Sequence, residues 1–182
     1  MSRNFLLTAA SLVLATSCVL AADSGPTGEF TGMATVQTDS GDRSLGVNII
    51  VTNPMTFEQA QPLKKVLENG GQQALAAAIR GGGRGTLRLG AVDYPIDLVI
   101  AEKTRDGYKF FVVTARSLKY EETQEGTGSD HPFSIAIFDV PDFGSGDGKL
   151  MTKASLSLDP DGHVRADQFE NRSGVLKDVK RR

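Results

Sequence analysis

Residues 30–51 read FTGMATVQTDSGDRSLGVNIIV, and this stretch decides the fold class. Along both halves, every second side chain is apolar, which is the period of a half-buried β-strand. The segment between the halves, TDSGDRS, has the composition of a turn. The sequence therefore predicts a β-hairpin at the start of the folded domain, with strands at 30–38 and 45–51.

A helical pattern follows this hairpin. Asn53-Pro54 ends the second strand, and apolar side chains then recur three and four residues apart. We expect the helix to begin near Pro62, because a missing N–H does no harm in the first turn of a helix. Asn69-Gly70-Gly71 interrupts the pattern, and a second short helix is expected over residues 72–80. The sequence thus predicts a helical pair that covers the sheet.

Strand patterns return in the rest of the chain. Asp106-Gly107 is its strongest hairpin signal, and Asp159-Pro160-Asp161-Gly162 is another tight turn. The segment FSIAIFDV is apolar on both faces, which is typical of a central strand. The strands predicted here are 86–89, 95–104, 108–116, 133–140, 149–158 and 163–169. The expected α+β fold is a mainly antiparallel, strongly curved sheet or open barrel of about eight strands, with a helical pair inserted after the second strand.

The first residues of the chain predict export. In segment 1–21, Arg3 is followed by an apolar run and then by small residues up to Ala21, the pattern of a secretory signal peptide. The run is shorter than the ~20 residues that a membrane span needs, so no span is expected after processing. Cleavage after Ala21 is one reading. The other rests on ATSC, which resembles a bacterial lipobox and would leave a lipid anchor on Cys18, the only cysteine.

The composition bounds the domain count and the partners. The chain has 182 residues, of which 40% are hydrophobic and 23% charged, the balance of a globular protein. We expect a flexible lead at 22–29 and a single domain at 30–182. Segment 1–21 holds Arg3 and no acid, so nineteen basic and twenty-two acidic side chains remain beyond it. This acidic balance argues against nucleic acid as a partner.

The glycine-rich stretch AIRGGGRGTLRLG, residues 78–90, raises the possibility of a phosphate-binding loop. The dinucleotide fingerprint needs G-x-G-x-x-G after a strand and before a helix, whereas this stretch follows a helix and precedes a strand. Counted from Gly81, the sixth position is Thr86, so the spacing fails as well. The stretch is therefore predicted to be a helix C-cap and a joint to the sheet.

Residues for catalysis or metal binding are few. His131 and His163 are the only histidines, so a three-histidine zinc site is impossible, and HExxH is absent. Glycosidases use a pair of carboxylates that converge in space, but no such pair stands out in this sequence. Asp142 and Asp147 on a second glycine-rich segment offer too few oxygens for calcium. We expect no metal and no cofactor, and an enzyme is the less favoured class.

The connection SLKYEETQEGTGSDHP, residues 117–132, is the best candidate for a recognition site. It is long for a compact domain, and long connections are often functional or else simply mobile and solvated. The residues expected to form a polar recognition surface are Tyr120, Glu121, Glu122, Glu125, Asp130 and His131. The C-terminal KDVKRR is predicted to be a solvated basic tail, with anion binding as its alternative.

These observations favour an exported bacterial protein, periplasmic or secreted, with a non-enzymatic domain that binds a small molecule or a protein. One alternative is an extracytoplasmic hydrolase that uses carboxylates or His131. A second alternative is an envelope lipoprotein anchored at Cys18.

Overall fold

The structure is a computed structural model that describes residues 25–38, 41–116, 118, 131–160, 164–168 and 174–182. The predicted signal peptide, including Cys18, lies outside the described residues. Ten strands and one helix occur in the described part. They are β1 (Gly28–Thr38), β2 (Gly41–Val51), α1 (Phe57–Ile79), β3 (Gly85–Leu89), β4 (Val92–Ile96), β5 (Leu98–Thr104), β6 (Gly107–Thr114), β7 (Phe133–Pro141), β8 (Gly146–Leu158), β9 (Val164–Gln168) and β10 (Gly174–Arg181).

The strands form one sheet that curls into a nearly closed barrel. Their order is β4-β3-β2-β1-β10-β8-β7-β6-β5, and every neighbouring pair is antiparallel. The two edge strands, β4 and β5, are consecutive in the chain and separated by Asp97 alone. One bent run of chain therefore supplies both edges, which brings the ends of the sheet together. The predicted α+β class and curved antiparallel sheet are confirmed.

The expected count of eight strands is wrong for two physical reasons. Asp97 divides the strand predicted at 95–104, and the predicted basic tail is strand β10, which lies between β1 and β8. Asp178 has a φ of 54° and forms a bulge, so the inward side chains of Leu176 and Val179 are three residues apart. This bulge breaks the alternation by which a strand is recognised in a sequence.

The expected helical pair is also wrong, because a single kinked helix, α1, occupies this place. Gly71 has φ 67° and ψ −171°, which are not helical values, so α1 has a kink at Asn69-Gly70-Gly71 between its two segments. The helix begins at Phe57, five residues before Pro62, which lies inside it. Thr56 caps it: the Thr56 hydroxyl accepts from the Gln59 N–H at 3.2 Å, and the Gln59 side chain accepts from the Thr56 N–H at 2.9 Å. This capping box is a start signal that the apolar period alone does not reveal.

Aromatic side chains fill the inside of the barrel. Phe30 and Phe138 contact Phe110 with ring centroids 4.8 and 5.3 Å apart, and Phe30 lies 5.8 Å from Phe138. All three rings are essentially inaccessible to solvent. Aliphatic side chains from β1 to β8 and β10 complete this interior core. Its centre is therefore packed with side chains, as in small barrels.

A second core lies on the outside of the barrel, under α1. Leu67, Leu75 and Ile79 of the helix pack there against outward side chains of β5 to β8. β7 contributes Phe133 and Ile135 to this core and Phe138 to the interior, so its predicted burial on both faces is confirmed. No helix in the described part combines the length and apolar composition that crossing a bilayer requires.

Candidate functional site

Four polar side chains are buried in the described part of the chain, and they lie together. They are Asp97, Thr114, Ser134 and Thr152, each at most 7% exposed, and we call them the polar platform. They surround the point where β6 ends and β7 begins, the two ends of the 117–132 connection. Burying a polar group is costly unless it is hydrogen-bonded, so such a cluster holds its surroundings in one geometry.

Asp97 is the charged member of the platform. Its carboxylate accepts the Gly81 N–H at 2.8 Å and the Ala115 N–H at 2.7 Å. The Asp97 N–H donates to the Val113 carbonyl at 3.0 Å. Arg80 donates through Nη2 to the Ala115 carbonyl at 3.3 Å. Asp97 thus joins the edge of the barrel to the end of α1 and to the end of β6.

These contacts answer the question raised by the glycine-rich stretch. It follows α1 and precedes β3, as predicted for a helix C-cap and joint. Gly81 has a φ of 77°, a conformation that favours glycine, and the Gly82 N–H donates to the Ile79 carbonyl at 3.0 Å. A Cβ on Gly82 would overlap the Asp97 carbonyl oxygen. The anion held by this stretch is the buried Asp97 carboxylate of the chain itself.

Ser134 anchors the other side of the platform. Its hydroxyl accepts the Leu118 N–H at 2.8 Å and lies 2.6 Å from the Thr152 carbonyl oxygen and 2.9 Å from that of Arg116. The Thr114 hydroxyl donates to the Arg116 carbonyl at 2.9 Å. Leu118 is buried in the interior core. Arg116 and Leu118 are therefore held against β7 and β8 at the exit from β6.

Most of the predicted recognition residues cannot be placed relative to the platform. Tyr120, Glu121, Glu122, Glu125 and Asp130 lie outside the described residues. His131 is described, and it is partly buried just before β7.

The platform itself was missed at the level of sequence. Its signals are single polar residues inside apolar strand patterns: Asp97 in PIDLVI and Ser134 in FSIAIFDV.

A second polar cluster lies on the outer face of the barrel. Arg88 holds Asp93 in a bidentate salt bridge at 2.6 and 2.8 Å. Glu29 accepts Asn48 Nδ2 at 2.7 Å and Arg182 Nη1 at 3.1 Å. These side chains form a row of paired charges across β1 to β4 and the chain end.

The pairing in this row shifts three pKa values. The hydrogen bond from Arg88 lowers the pKa of Asp93, and the hydrogen bonds from Asn48 and then Arg182 lower that of Glu29. The hydrogen bond to Asp93 raises the pKa of Arg88. A lowered carboxyl pKa stabilises the fold above the ordinary values of 4.5 and 3.8, and this stabilisation is lost as pH falls through the folded-state pKa. The row is therefore fully charged at neutral pH.

The two aspartates of the second glycine-rich segment make ordinary structural contacts. Asp147 pairs with Lys177 at 3.2 Å, and the Asp142 N–H donates to the Asp106 carbonyl at 2.8 Å. The predicted turn at 159–162 joins β8 to β9, although residues 161–163 lie outside the described part. No group of three or more histidine, cysteine or acidic side chains in the described ranges could hold a metal ion.

The chain matches no family model, no curated protein and no solved structure. Its function therefore has to be argued from its own residues. The polar platform is the place where the buried polar groups of the described part meet the 117–132 connection.

Proposed function

We propose that this chain is an exported, non-enzymatic binding protein that captures a protein partner through the 117–132 connection. The observation that carries the proposal is the polar platform beneath both ends of that connection. Export rests on the signal-peptide pattern of residues 1–21, with cleavage after Ala21. Anchoring at Cys18 is the alternative fate of the same segment.

The packed barrel interior supports binding on the surface. Barrels that hold small ligands keep an open, mostly apolar lumen. Here the rings of Phe30, Phe110 and Phe138 touch one another at the centre of the barrel. A small molecule would have to displace these side chains, whereas a protein needs only an accessible segment.

The platform supports the 117–132 connection as that segment. A recognition element binds more tightly when its supports are rigid, because less motion is lost on binding. Ser134, two residues after the connection, accepts the Leu118 N–H near its start, and Asp97 accepts the Ala115 N–H just before it. These buried hydrogen bonds support a rigid start of the proposed recognition segment.

The charge of the connection indicates the chemistry of the partner. Residues 117–132 contain four acids and a single lysine, Lys119. Such an acidic segment fits a partner with a basic surface and accelerates their encounter. Tyr120 adds an aromatic ring with a polar end, a side chain that is enriched at protein interfaces.

Site-specific photo-cross-linking in the producing cells tests this function. With a benzophenone amino acid at Tyr120, we expect a discrete adduct between the chain and one protein. The triple variant Glu121→Lys, Glu122→Lys, Glu125→Lys should reduce the adduct at least tenfold, because it reverses the charge of the segment. Mass spectrometry of the adduct identifies the partner.

The matched control places the benzophenone at Gln61, an exposed residue of α1, where we expect no adduct. The charge reversal Glu68→Lys, also exposed on α1, should leave the Tyr120 adduct unchanged. The proposed function would be refuted if the Tyr120 probe formed no adduct. It would also be refuted if the triple charge reversal left the amount of adduct unchanged.

A further inference from the structure

The β8–β9 hairpin extends beyond the ring of the barrel. β8 pairs with β10 and β7 along its first part, and its last part, from Ala154 to Leu158, pairs with β9. Ala154 lies opposite Phe133 of β7 and opposite Gln168 of β9, so β9 lies on the β10 side of β8. β9 pairs with no other strand of the described part, and its second edge is therefore open there.

This hairpin is packed on one face and exposed on the other, where the Ser157 hydroxyl lies 3.4 Å from the Asp167 carboxylate. Leu156, Leu158 and Ala166 pack against the outer core beneath α1. On the opposite face, Arg165 and Asp167 are exposed. The open edge is thus held in position by packing, and its exposed face carries one cation and one anion.

The two edges of the barrel itself are protected against pairing. β4 contains Pro95, which has no N–H to donate to a further strand. The edge of β5 is covered by Met55, whose N–H donates to the Val99 carbonyl at 2.8 Å and whose carbonyl accepts the Ala101 N–H at 3.0 Å. β9 has no proline and no such cover among the described residues.

We propose that β9 pairs antiparallel with β9 of a second copy of this chain, forming a two-fold dimer through the open edge. This inference is independent of the proposed function. It rests on the edge, on its packing and on the self-complementary charge of the strand sequence Val-Arg-Ala-Asp-Gln.

The charges select one register. In an antiparallel pair, the faces of the two strands match only when the two-fold axis passes through a residue. An axis at Ala166 places Arg165 opposite Asp167 of the second copy, twice by symmetry. An axis at Arg165 or at Asp167 would place like charges opposite each other, which is destabilising. The Ala166 register is therefore favoured.

The proposed axis fixes how the two molecules are arranged. The axis at Ala166 joins the two hairpins into a sheet of order β8-β9-β9-β8. Because the two β8 strands then run in opposite directions, the two barrels lie at opposite ends of this sheet. The interface is small, so we expect a weak dimer with a dissociation constant on the order of tens of micromolar.

Sedimentation velocity over a range of protein concentrations tests the dimer. The full chain, as purified from expressing cells, is compared with Arg165→Asp, with Asp167→Arg and with the double variant. Each single variant should weaken dimerisation at least about tenfold, because both symmetric pairs become repulsive. The double variant should restore it. An equimolar mixture of the two single variants should form the heterodimer.

The control is Lys103→Asp, a charge reversal on the exposed part of β5 that should leave the dimer unchanged. Both single substitutions are at exposed positions, and circular dichroism confirms that the variants fold. A wild-type chain that stays monomeric at several hundred micromolar, about tenfold above the expected constant, overturns the proposal. Single variants that dimerise like the wild type, or a double variant that does not recover, also overturn it.

Discussion

At the scale of single residues, Asp97 has the largest structural consequence. It is the point at which the chain passes from one edge of the sheet to the other, and its carboxylate holds the end of α1 and the end of β6. The side chain is only 3% exposed, so water cannot readily replace its two hydrogen-bonding oxygens. Its role is to keep the barrel closed and the platform in position.

Asp97→Ala should therefore lower the free energy of unfolding by about 3 kcal/mol or more, because it leaves the Gly81 and Ala115 N–H groups without an acceptor. Asp97→Asn keeps one acceptor oxygen and should lower the free energy of unfolding by less. Urea denaturation followed by circular dichroism measures both. Glu102→Ala, exposed on β5, is the control and should stay within about 0.5 kcal/mol of the wild type. A loss below 1 kcal/mol for Asp97→Ala would contradict the bonding described.

At the scale of elements, the joint between α1 and β3 shows how glycines are used in this fold. Gly83 and Gly85 both have positive φ, 62° and 144°, but their surroundings differ. A Cβ on Gly83 meets no side chain, whereas a Cβ on Gly85 would overlap the Ile50 carbonyl oxygen of β2. Gly83 serves a turn, and Gly85 permits the close approach of two strands.

Gly85→Ala should therefore prevent folding or lower the free energy of unfolding by about 4 kcal/mol or more. Gly83→Ala is the matched control and should cost only about 1 kcal/mol, the strain of a left-handed alanine. Thermal and urea unfolding of the two variants measures the difference. Equal stability of the two variants would mean that β2 and β3 are not packed as described.

Regular elements were predictable from the sequence, and irregular ones were not. β1 and β2 follow the period of two, β7 is apolar on both faces, and the turn after Thr104 carries a strong hairpin signal. β10 was missed because its bulge at Asp178 breaks that period. The kink at Gly71 resembles a helix end in sequence, whereas in the structure the segments on both of its sides pack against the outer core.

The candidate site was predictable only in part. The length and composition of residues 117–132 single out a connection, and this needs only local sequence. The platform joins residues from β6, β7 and β8 and from the bend between β4 and β5. These residues come together only when the barrel closes, and the sequence around Asp97 or Ser134 does not predict that closure.

At the scale of the whole molecule, the proposed function assigns stability and recognition to different parts of the chain. The barrel interior and the outer core under α1 bury the large apolar side chains. The polar platform then holds the two ends of one acidic connection. Under the proposed function, the barrel and its platform fold without the middle of this connection, and the middle binds the partner.

The most direct test replaces residues 119–130 with a Gly/Ser linker of equal length and places the benzophenone at Arg116, whose side chain is exposed. We expect the free energy of unfolding of the replaced chain to lie within about 1 kcal/mol of that of the wild type, because the platform contacts remain. The adduct formed from Arg116 in the native chain should disappear in the replaced chain. A replaced chain that folds and still forms the adduct would contradict the account, and so would one that no longer folds.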